Sequence, residues 1–250
     1  MGAQRTALVT GGATGIGAEI TSRLAAERMT VFVVQRTEED ASEGRKLFAE
    51  HPFAELIQVG AHDLATGGGC RDAVAECVRH FGRLDVLVNN AGISGYAAFG
   101  PVESASDDLI DRIVDTNLKA PLRLAREAFA QLVLNQGVIV NISSIAEFQA
   151  QRDVPAYVAS KAGLGGLTRA LACDLARHGV RVVGVAPGDI ATGTSRSSDY
   201  TAAVGLVKET PLGFAGDPAD VAGLVAWVVS SEARYVTGTT IVVDGGRTAF

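Results

Sequence analysis

Residues 6–17 read TALVTGGATGIG, a short run of strand-forming residues that leads directly into a glycine-rich turn. The run predicts a strand over residues 6–10, and the pattern after the turn predicts a helix over residues 16–27. Glycines between a strand and a helix permit a tight turn and let backbone N–H groups approach a phosphate at the helix N-terminus. Their spacing is G-x-x-x-G-x-G rather than G-x-G-x-x-G. Nucleotide binding is the favoured interpretation, and a purely structural turn is the alternative.

Beyond this turn, short β-branched runs alternate with helical patterns along the whole chain. Runs such as residues 86–88 and 138–140 are apolar on both faces, which is typical of a parallel sheet covered by helices on both sides. The alternation predicts a doubly wound α/β fold. The predicted strands are 6–10, 30–34, 54–59, 84–88, 138–142, 181–185 and 240–243. The predicted helices are 16–27, 41–50, 70–81, 107–134, 156–177 and 218–229.

The composition indicates a chain that can bury a large apolar core. Of 250 residues, 47% are hydrophobic, and the net charge is −6 with no segment dominated by lysine and arginine. These features argue against nucleic acid or an anionic membrane as a partner. Cys70, Cys77 and Cys173 match no zinc spacing, so we predict no metal site and interpret them as small buried hydrophobes. No signal peptide or membrane span is predicted, and we expect a cytoplasmic protein.

Tyr157 and Lys161 form a candidate proton-transfer site, because they are four residues apart and share one face of a predicted helix. A nearby ammonium favours the phenolate and lowers the pKa of a tyrosine from its usual value of about 10. A hydroxyl from Ser144 could hold a substrate oxygen at the same point. The three residues indicate proton transfer at a carbonyl or an alcohol, although Y-x-x-x-K alone also arises by chance.

Polar residues follow the predicted third and fourth strands, at the carboxyl edge where such sheets bind ligands. Asp63 could accept a hydrogen bond from an adenine amine, and a helix N-cap is the alternative. The stretch NNAG at residues 89–92 lies where the middle of a nucleotide cofactor would pass, although in isolation it would be a plain loop.

Together these motifs resemble the short-chain dehydrogenase/reductase family, and in particular its members similar to 3-oxoacyl-acyl-carrier-protein reductases. The resemblance covers essentially the whole chain. It implies one Rossmann-like domain over residues 1–250, with a seven-stranded parallel sheet in the order 3-2-1-4-5-6-7. The matching motifs are TGGATGIG at residues 10–17, NNAG at 89–92, Asn117 in a long helix, ISS at 142–144, YVASK at 157–161, PG at 187–188 and VDGG at 243–246.

The resemblance implies roles for the matching positions. Tyr157 is the general acid/base, and Lys161 lowers its pKa and binds the nicotinamide ribose. Ser144 orients the substrate oxygen, with Ser143 as the alternative; Asn117 anchors a water in the relay or else fills a helix kink. The residues implied in nicotinamide cofactor binding are Gly11, Thr14, Gly15, Ile16, Gly17, Arg36, Asp63, Leu64, Asn90, Ala91, Gly92, Tyr157, Lys161, Pro187, Gly188, Ile190 and Thr192.

The cofactor preference is predicted from residues 33–37, which read VVQRT. NAD-preferring members end this strand with a carboxylate that binds the ribose 2′-OH, and here Gln35 takes that position. Arg36 can pair with a 2′-phosphate and stack on adenine. We therefore expect NADP(H). NAD(H) remains the alternative, because Thr14 replaces a basic residue common in NADP-preferring members and three acidic residues follow at 38–40.

The leading functional hypothesis is an oxidoreductase that interconverts a small-molecule ketone and a secondary alcohol. A 3-oxoacyl thioester reductase and a non-catalytic nucleotide-binding regulator are the alternatives. The stretch 189–214 is rich in Thr, Ser and Gly, and we interpret it as a mobile substrate lid, with a variable surface loop as the alternative. Family members pair helices 107–134 and 156–177 across a dimer, so we expect a homotetramer.

Overall fold

A parallel sheet forms the centre of the computed structural model, which describes residues 4–192 and 210–249. Within this part of the chain the sheet has seven strands in the order β3-β2-β1-β4-β5-β6-β7, so the predicted fold class and strand order are confirmed. The strands are β1 Thr6–Thr10, β2 Thr30–Gln35, β3 Ile57–Ala61, β4 Val86–Asn89, β5 Val138–Ile142, β6 Arg181–Pro187 and β7 Thr240–Val243. The helices are α1 Gly15–Ala26, α2 Glu38–Ala49, α3 Gly67–Phe81, α4 Asp107–Val114, α5 Ala120–Asn135, α6 Pro155–Ala176 and α7 Pro218–Val229.

Two apolar layers cover the sheet, because successive strand residues face opposite sides. On one face, residues such as Val9 and Val33 pack against α1, α2 and α7. On the other face, residues such as Leu8 and Phe32 pack against α3, α5 and α6. Burial on both faces explains why the strands are apolar throughout.

The sheet changes winding direction at β1, which lies between β2 and β4. The loops that follow β1 and β4 therefore meet at the carboxyl edge of the sheet. In doubly wound folds this crevice is where ligands bind. The glycine-rich turn and the NNAG stretch are the two loops that line it.

The prediction of a third strand over residues 54–59 is wrong for residues 54–56. Residues Ala54–Leu56 form a 3₁₀ turn, and β3 begins at Ile57. The strand is defined by its parallel pairing with β2, which runs from Val31 opposite Ile57 to Gln35 opposite Ala61. Residues before Ile57 have no partner strand in this pairing.

The predicted long helix, residues 107–134, is interrupted. A π-helical turn at Asp115–Lys119 separates α4 from α5. Pro121 follows this turn and has no N–H, so the carbonyl of Asn117, four residues earlier, lacks its α-helical donor. The apolar periodicity continues through the break, which is why the sequence pattern does not reveal it.

Part of the predicted lid, residues 193–209, lies outside the described residues. Its flanks are joined beside β6, where Ile190 forms an isolated parallel bridge with Gly216. Ala191 N donates to Gly216 O at 2.8 Å, and Gly216 N donates to Asp189 O at 2.9 Å. The two ends of the segment are therefore fixed next to each other.

The cysteines are divided between the core and the surface. Cys70 and Cys77 are buried as predicted, and burial raises the pKa of their thiols to about 11 and about 12. The prediction is wrong for Cys173, which is exposed because it lies on the outer side of α6. No helix in the described part of the chain is long and apolar enough to cross a bilayer.

Candidate active site

The glycine-rich turn connects β1 to α1 and is shaped by its glycines. Gly11 and Gly15 have φ of +62° and +49°, a region that favours glycine. A Cβ at Gly17 would lie 2.2 Å from Gly11 O, so no side chain fits there. Thr14 is the N-cap of α1 but makes no side-chain capping bond, and the first turn contains no acidic residue. The N–H groups at this helix end therefore suit an anion such as a pyrophosphate.

The loop after β4 holds this turn in place. Asn90 Nδ2 donates to Thr10 O at 2.9 Å and to Gly11 O at 3.2 Å. The backbone N–H groups of Asn90 and Ala91 both donate to Thr10 Oγ1 at 2.9 Å. The side chain of Asn90 therefore supports the glycine turn, in addition to lining the groove described next.

Two adjacent cavities form a groove along the carboxyl edge of the sheet. The larger, of about 570 Å³, extends from the glycine turn to the ends of β2 and β3. The smaller, of about 280 Å³, lies over β5, β6 and the start of α6. The larger is lined by Gly11, Thr14, Arg36, Asp63, Leu64, Asn90, Ala91 and Gly92, among others. The smaller is lined by Thr14, Gly15, Ile16, Gly17, Asn90, Gly92, Ser144, Tyr157, Lys161, Pro187, Gly188, Ile190 and Thr192, among others. The groove thus gathers every predicted cofactor residue.

Asp63 occupies the far end of the larger cavity. Its Oδ1 accepts from Ala65 N at 3.0 Å and stabilises the turn before α3. The N-cap of α3 is Thr66, whose hydroxyl accepts from Gly69 N at 2.9 Å. Asp63 is therefore not the helix cap, and its carboxylate borders the cavity.

Arg36 shares the larger cavity with nearby acidic residues. Arg36 is exposed at its wall, and Asp40 and Glu43 line the same cavity. Asp40 Oδ2 accepts from Thr37 Oγ1 at 2.8 Å in a capping box at the start of α2. Glu38 is paired with Arg45. Two of the nearby acidic residues, Asp40 and Glu38, therefore already have partners in α2 or at its N-cap.

Tyr157 and Ser144 meet in the smaller cavity. Ser144 Oγ accepts from Ala146 N at 3.1 Å. Burial raises the pKa of the Tyr157 phenol, and a hydrogen-bonding interaction with the Ser144 side chain lowers it in part. Ser143 Oγ instead lies 3.5 Å from Lys161 O, against the backbone of α6. Of the two serines, Ser144 is the one that reaches the phenol.

Lys161 is buried beside Tyr157. Its Nζ donates to Ile142 O at 2.8 Å and lies 5.9 Å from the centre of the Tyr157 ring. Burial lowers the pKa of Lys161 to about 8, and the Glu147 carboxylate raises it in part. The net direction for Tyr157 is upward, contrary to the expected effect of Lys161, because desolvation is the largest influence on the phenol.

Asn117 lies in the π-helical turn, outside both cavities. Its Oδ1 accepts from Ile93 N at 2.8 Å, and its Nδ2 donates to Ile93 O at 3.0 Å and to Ser160 Oγ at 3.1 Å. Ser160 Oγ in turn donates to Tyr157 O at 2.7 Å. The Asn117 side chain therefore connects the loop after β4 with the first turns of α6.

Comparison with known proteins supplies the family. A sequence profile of short-chain dehydrogenases, described as enoyl-(acyl carrier protein) reductase, matches residues 11–248. The chain belongs to the short-chain dehydrogenase/reductase family. As a member of this family it is an oxidoreductase of the class that acts on CH–OH groups with a nicotinamide nucleotide.

Relatives of this short-chain dehydrogenase differ in the substrates that their names state. The 3β-hydroxysteroid dehydrogenase 1 of Eggerthella lenta is 35% identical over 251 residues, which cover 98% of this chain and 94% of that protein. Glucose 1-dehydrogenase 2 of Bacillus subtilis is 34% identical, with coverage of 98% and 95%. The 3-oxoacyl-acyl-carrier-protein reductase FabG of Rickettsia conorii is 35% identical, with coverage of 97% and 96%.

The fold of this short-chain dehydrogenase also matches solved structures. The crystal structure of a dehydrogenase/reductase from Sinorhizobium meliloti 1021 has a TM-score of 0.90 and 33% sequence identity, and the match covers 98% of this chain and 96% of that one.

Sequence reasoning misses three residues that shape the site of this short-chain dehydrogenase. Thr10 organises the loop after β4, Ser160 connects Asn117 to the backbone of Tyr157, and Glu147 influences Lys161. For Thr10, a hydroxyl at the end of an apolar strand is a usable signal. For Ser160 and Glu147 the partners are remote in sequence, so no local pattern indicates them.

Proposed function

We propose that this short-chain dehydrogenase interconverts a ketone and a secondary alcohol with NADP(H), using Ser144, Tyr157, Lys161 and Asn117 as a proton relay. The observation that carries the proposal is that Ser144, Tyr157 and Lys161 line one cavity. That cavity adjoins the larger cavity, which begins at the glycine turn, and we infer that the two together hold a dinucleotide. A proton donor and a hydride donor can therefore approach one carbonyl from adjacent positions.

Different residues of the groove would contact different parts of the cofactor. The open N–H groups around Gly15 and Gly17 receive the pyrophosphate, and Asp63 borders the adenine. Lys161 binds the nicotinamide ribose, and Thr192 binds the carboxamide. A Cβ at Gly15 would lie 3.3 Å from Thr192 Cγ2, so the Thr192 side chain packs beside the glycine turn in the smaller cavity.

The bound cofactor supplies the hydride, and this chain supplies the proton. Tyr157 donates its phenolic proton to the carbonyl oxygen during reduction. Ser144 Oγ accepts from Ala146 N, so its hydroxyl hydrogen can be shared between the Tyr157 oxygen and the substrate oxygen. The ammonium of Lys161 stabilises the phenolate that remains.

Asn117 contributes to the return of the proton. Its side chain is committed to Ile93 and Ser160, whereas its carbonyl lacks an α-helical donor because residue 121 is proline. This carbonyl can hold a water next to Lys161. The proposed relay therefore uses the backbone of Asn117 for the water and its side chain for positioning.

Preference for NADP(H) is supported by the charges at the end of β2. Gln35 adds no negative charge where a ribose 2′-phosphate would lie, and the Arg36 guanidinium is exposed in the same cavity. Asp40 and Glu38 are held by partners within or next to α2. A guanidinium recognises a phosphate through charge-assisted hydrogen bonds.

The chemistry is tested with Tyr157→Phe, which removes only the phenolic hydroxyl. We expect kcat for carbonyl reduction to fall by about 10²–10⁴-fold, while NADPH still binds in a fluorescence titration. The assay uses a panel of a steroid ketone, a sugar and a 3-oxoacyl thioester with both cofactors. If wild type and Tyr157→Phe are equally inactive but both bind nucleotide, the non-catalytic regulator replaces the proposal.

The cofactor preference is tested with Arg36→Ala. We expect KM for NADPH to rise by about tenfold, equivalent to about 1.4 kcal/mol, and KM for NADH to stay nearly constant. Lys46→Ala is the matched control, because Lys46 is an exposed basic residue of α2 outside the cavity. A wild-type preference for NADH in kcat/KM would contradict the assignment.

A further inference from the structure

A buried carboxylate lies three residues after Ser144. Glu147 ends the 3₁₀ turn Ile145–Glu147, and its side chain is only 3% exposed. Its Oε1 accepts from Thr240 Oγ1 of β7 at 3.0 Å. Its Oε2 is buried and has no hydrogen-bond partner among the described residues. A buried charge with incomplete hydrogen bonding is unfavourable unless an opposite charge compensates for it.

Two glycines create the space for this carboxylate and its partner. A Cβ at Gly165 of α6 would lie 2.0 Å from Glu147 Oε1. A Cβ at Gly184 of β6 would lie 2.3 Å from Thr240 Oγ1. Glycine in a helix interior costs roughly 1 kcal/mol relative to alanine. The pocket around Glu147 is therefore formed by residues of α6, β6 and β7.

The position of Gly165 relates Glu147 to Lys161. Residues four apart on a helix share one face, with Cβ atoms about 5–6 Å apart. Gly165 is four residues after Lys161, so the Glu147 carboxylate packs against the next turn of α6, on the face that carries Lys161. Lys161 is buried as well, and its Nζ donates to the neutral carbonyl of Ile142.

The other charged and titratable groups around this pair are few in the described part of the chain. Arg169 is 64% exposed, and its Nη1 lies 3.9 Å from Glu147 Oε1, so water screens this contact. Tyr157 faces Lys161 from the same helix. Ser143 and Ser144 on the β5 side and Asn117 near Gly92 carry no charge. Glu147 is the one carboxylate found to raise the pKa of Lys161.

We propose that Glu147 is a positioning residue whose buried carboxylate is the counter-charge that keeps Lys161 an ammonium beside Tyr157. This inference rests on the proposed function, in which Lys161 acts in its charged form. Burial alone disfavours that form, and the carboxylate opposes the effect. A direct ion pair between Glu147 Oε2 and Lys161 would draw the lysine away from the ribose and the relay, so a carboxylate that acts from a distance suits both roles of Lys161.

The direct test is the titration of Lys161 in Glu147→Gln, which keeps the shape of the side chain and removes its charge. Protein labelled with ¹³C-lysine is titrated by NMR without substrate or cofactor, and the Lys161 resonance is assigned with Lys161→Met. We expect the Lys161 midpoint to fall by about one pH unit. Glu147→Asp keeps the charge and is expected to stay near wild type, and Arg169→Met is the control for the exposed contact.

The kinetic consequence appears in the alkaline limb of kcat/KM for carbonyl reduction. The ammonium is lost as pH rises through the pKa of Lys161, so lowering that pKa moves the limb to lower pH. With a shift of about one unit, kcat/KM at pH 8 falls by about fivefold, while values at pH 6 stay close to wild type. A purely structural role for Glu147 would change the value at every pH and leave the limb in place.

Different experimental results would contradict the role of Glu147 and the proposed function. If Glu147→Gln leaves the Lys161 titration unchanged while Tyr157→Phe abolishes activity, the inference is wrong and the function stands. If the enzyme is inactive on every substrate, the NMR titration still decides the role of Glu147. Gly165→Ala is the second variant, because its Cβ pushes the carboxylate away from α6. It is expected to lower the Lys161 midpoint too, and an unchanged midpoint in whichever variant folds overturns the inference.

Discussion

The proposed chemical role of Lys161 comes with a cost to folding. Its side chain is buried, and burial lowers its pKa from 10.5 to about 8. The folded protein therefore holds this proton less tightly than the unfolded chain does. Between these two pKa values the unfolded state binds more protons, so stability rises with pH across that window. Below pH 8 the full penalty of the buried ammonium is present.

Replacement of Lys161 by Met removes this penalty and leaves an apolar chain of similar length. We expect Lys161→Met to raise the unfolding temperature at pH 7 by about 2 °C or more, and to abolish the relay. The gain should shrink towards pH 10, because the wild-type lysine is then neutral when folded. Lys119→Met is the control, since Lys119 is half-exposed and pairs with Asp115 at 2.9 Å. A gain of equal size at both pH values would show that charge is not its cause.

The sequence predicts those site residues whose geometry is local. Tyr157 and Lys161 are positioned by helical spacing, and Gly15 and Gly17 by a turn that other residues cannot form. The position of Glu147 was not predictable in this way. It depends on Gly165 and Thr240, which are distant in the chain and come together only when α6 and β7 pack around the turn after β5.

At the scale of elements, the turn between β1 and α1 strongly restricts which residues can occupy it. Gly17→Ala places a Cβ 2.2 Å from Gly11 O and 2.5 Å from Asn90 Nδ2. Because the backbone of the turn has to shift, we expect a lower unfolding temperature and NADPH binding weakened by about tenfold, equivalent to about 1.4 kcal/mol. Thermal unfolding and a fluorescence titration measure the two effects.

Gly67→Ala is the matched control for that prediction. Gly67 begins α3, and a Cβ there would meet nothing within 4 Å. Alanine is also the better helix former. Its unfolding temperature should equal or exceed that of wild type, and NADPH affinity should not change. Equal loss in both variants would contradict the steric explanation.

The accuracy of the predicted elements follows from how local their determinants are. The bounds of β1, β5 and β7 agree with prediction, because each is an apolar run between turn residues. The break between α4 and α5 was not predicted, because the apolar periodicity continues through the π-helical turn, where Asn117 bonds the distant residues Ile93 and Ser160. Amphipathic periodicity reports which face is buried, and a π-helical turn changes that face only slightly.

At the scale of the whole molecule, two groups of exposed apolar side chains are candidates for contacts between copies of the chain. Leu122 and Phe129 of α5 are 50% and 41% exposed. Trp227 of α7 and Val242 of β7, on another part of the surface, are 37% and 36% exposed. A tetramer of one chain needs two different self-complementary contacts, and we predict that these two groups provide them.

Light scattering after size exclusion tests this assembly. We expect a mass of about four times the 25.8 kDa of one chain. Leu122→Arg should reduce the mass, because a charge then faces its own copy in a symmetric contact. Leu47→Arg is the control, since Leu47 is similarly exposed but lies on α2, on the other side of the sheet. A monomeric wild type would contradict the assembly.

The bridge between Ile190 and Gly216 fixes both ends of the intervening segment at one point beside β6. The entropy of closing a loop changes slowly with its length, by about 0.6 kcal/mol per doubling. Segments of different length and composition can therefore be exchanged between these anchors without moving the sheet. We therefore predict that replacing residues 191–215, which include most of the proposed lid, with the corresponding segment of a relative changes substrate selectivity and leaves the fold intact.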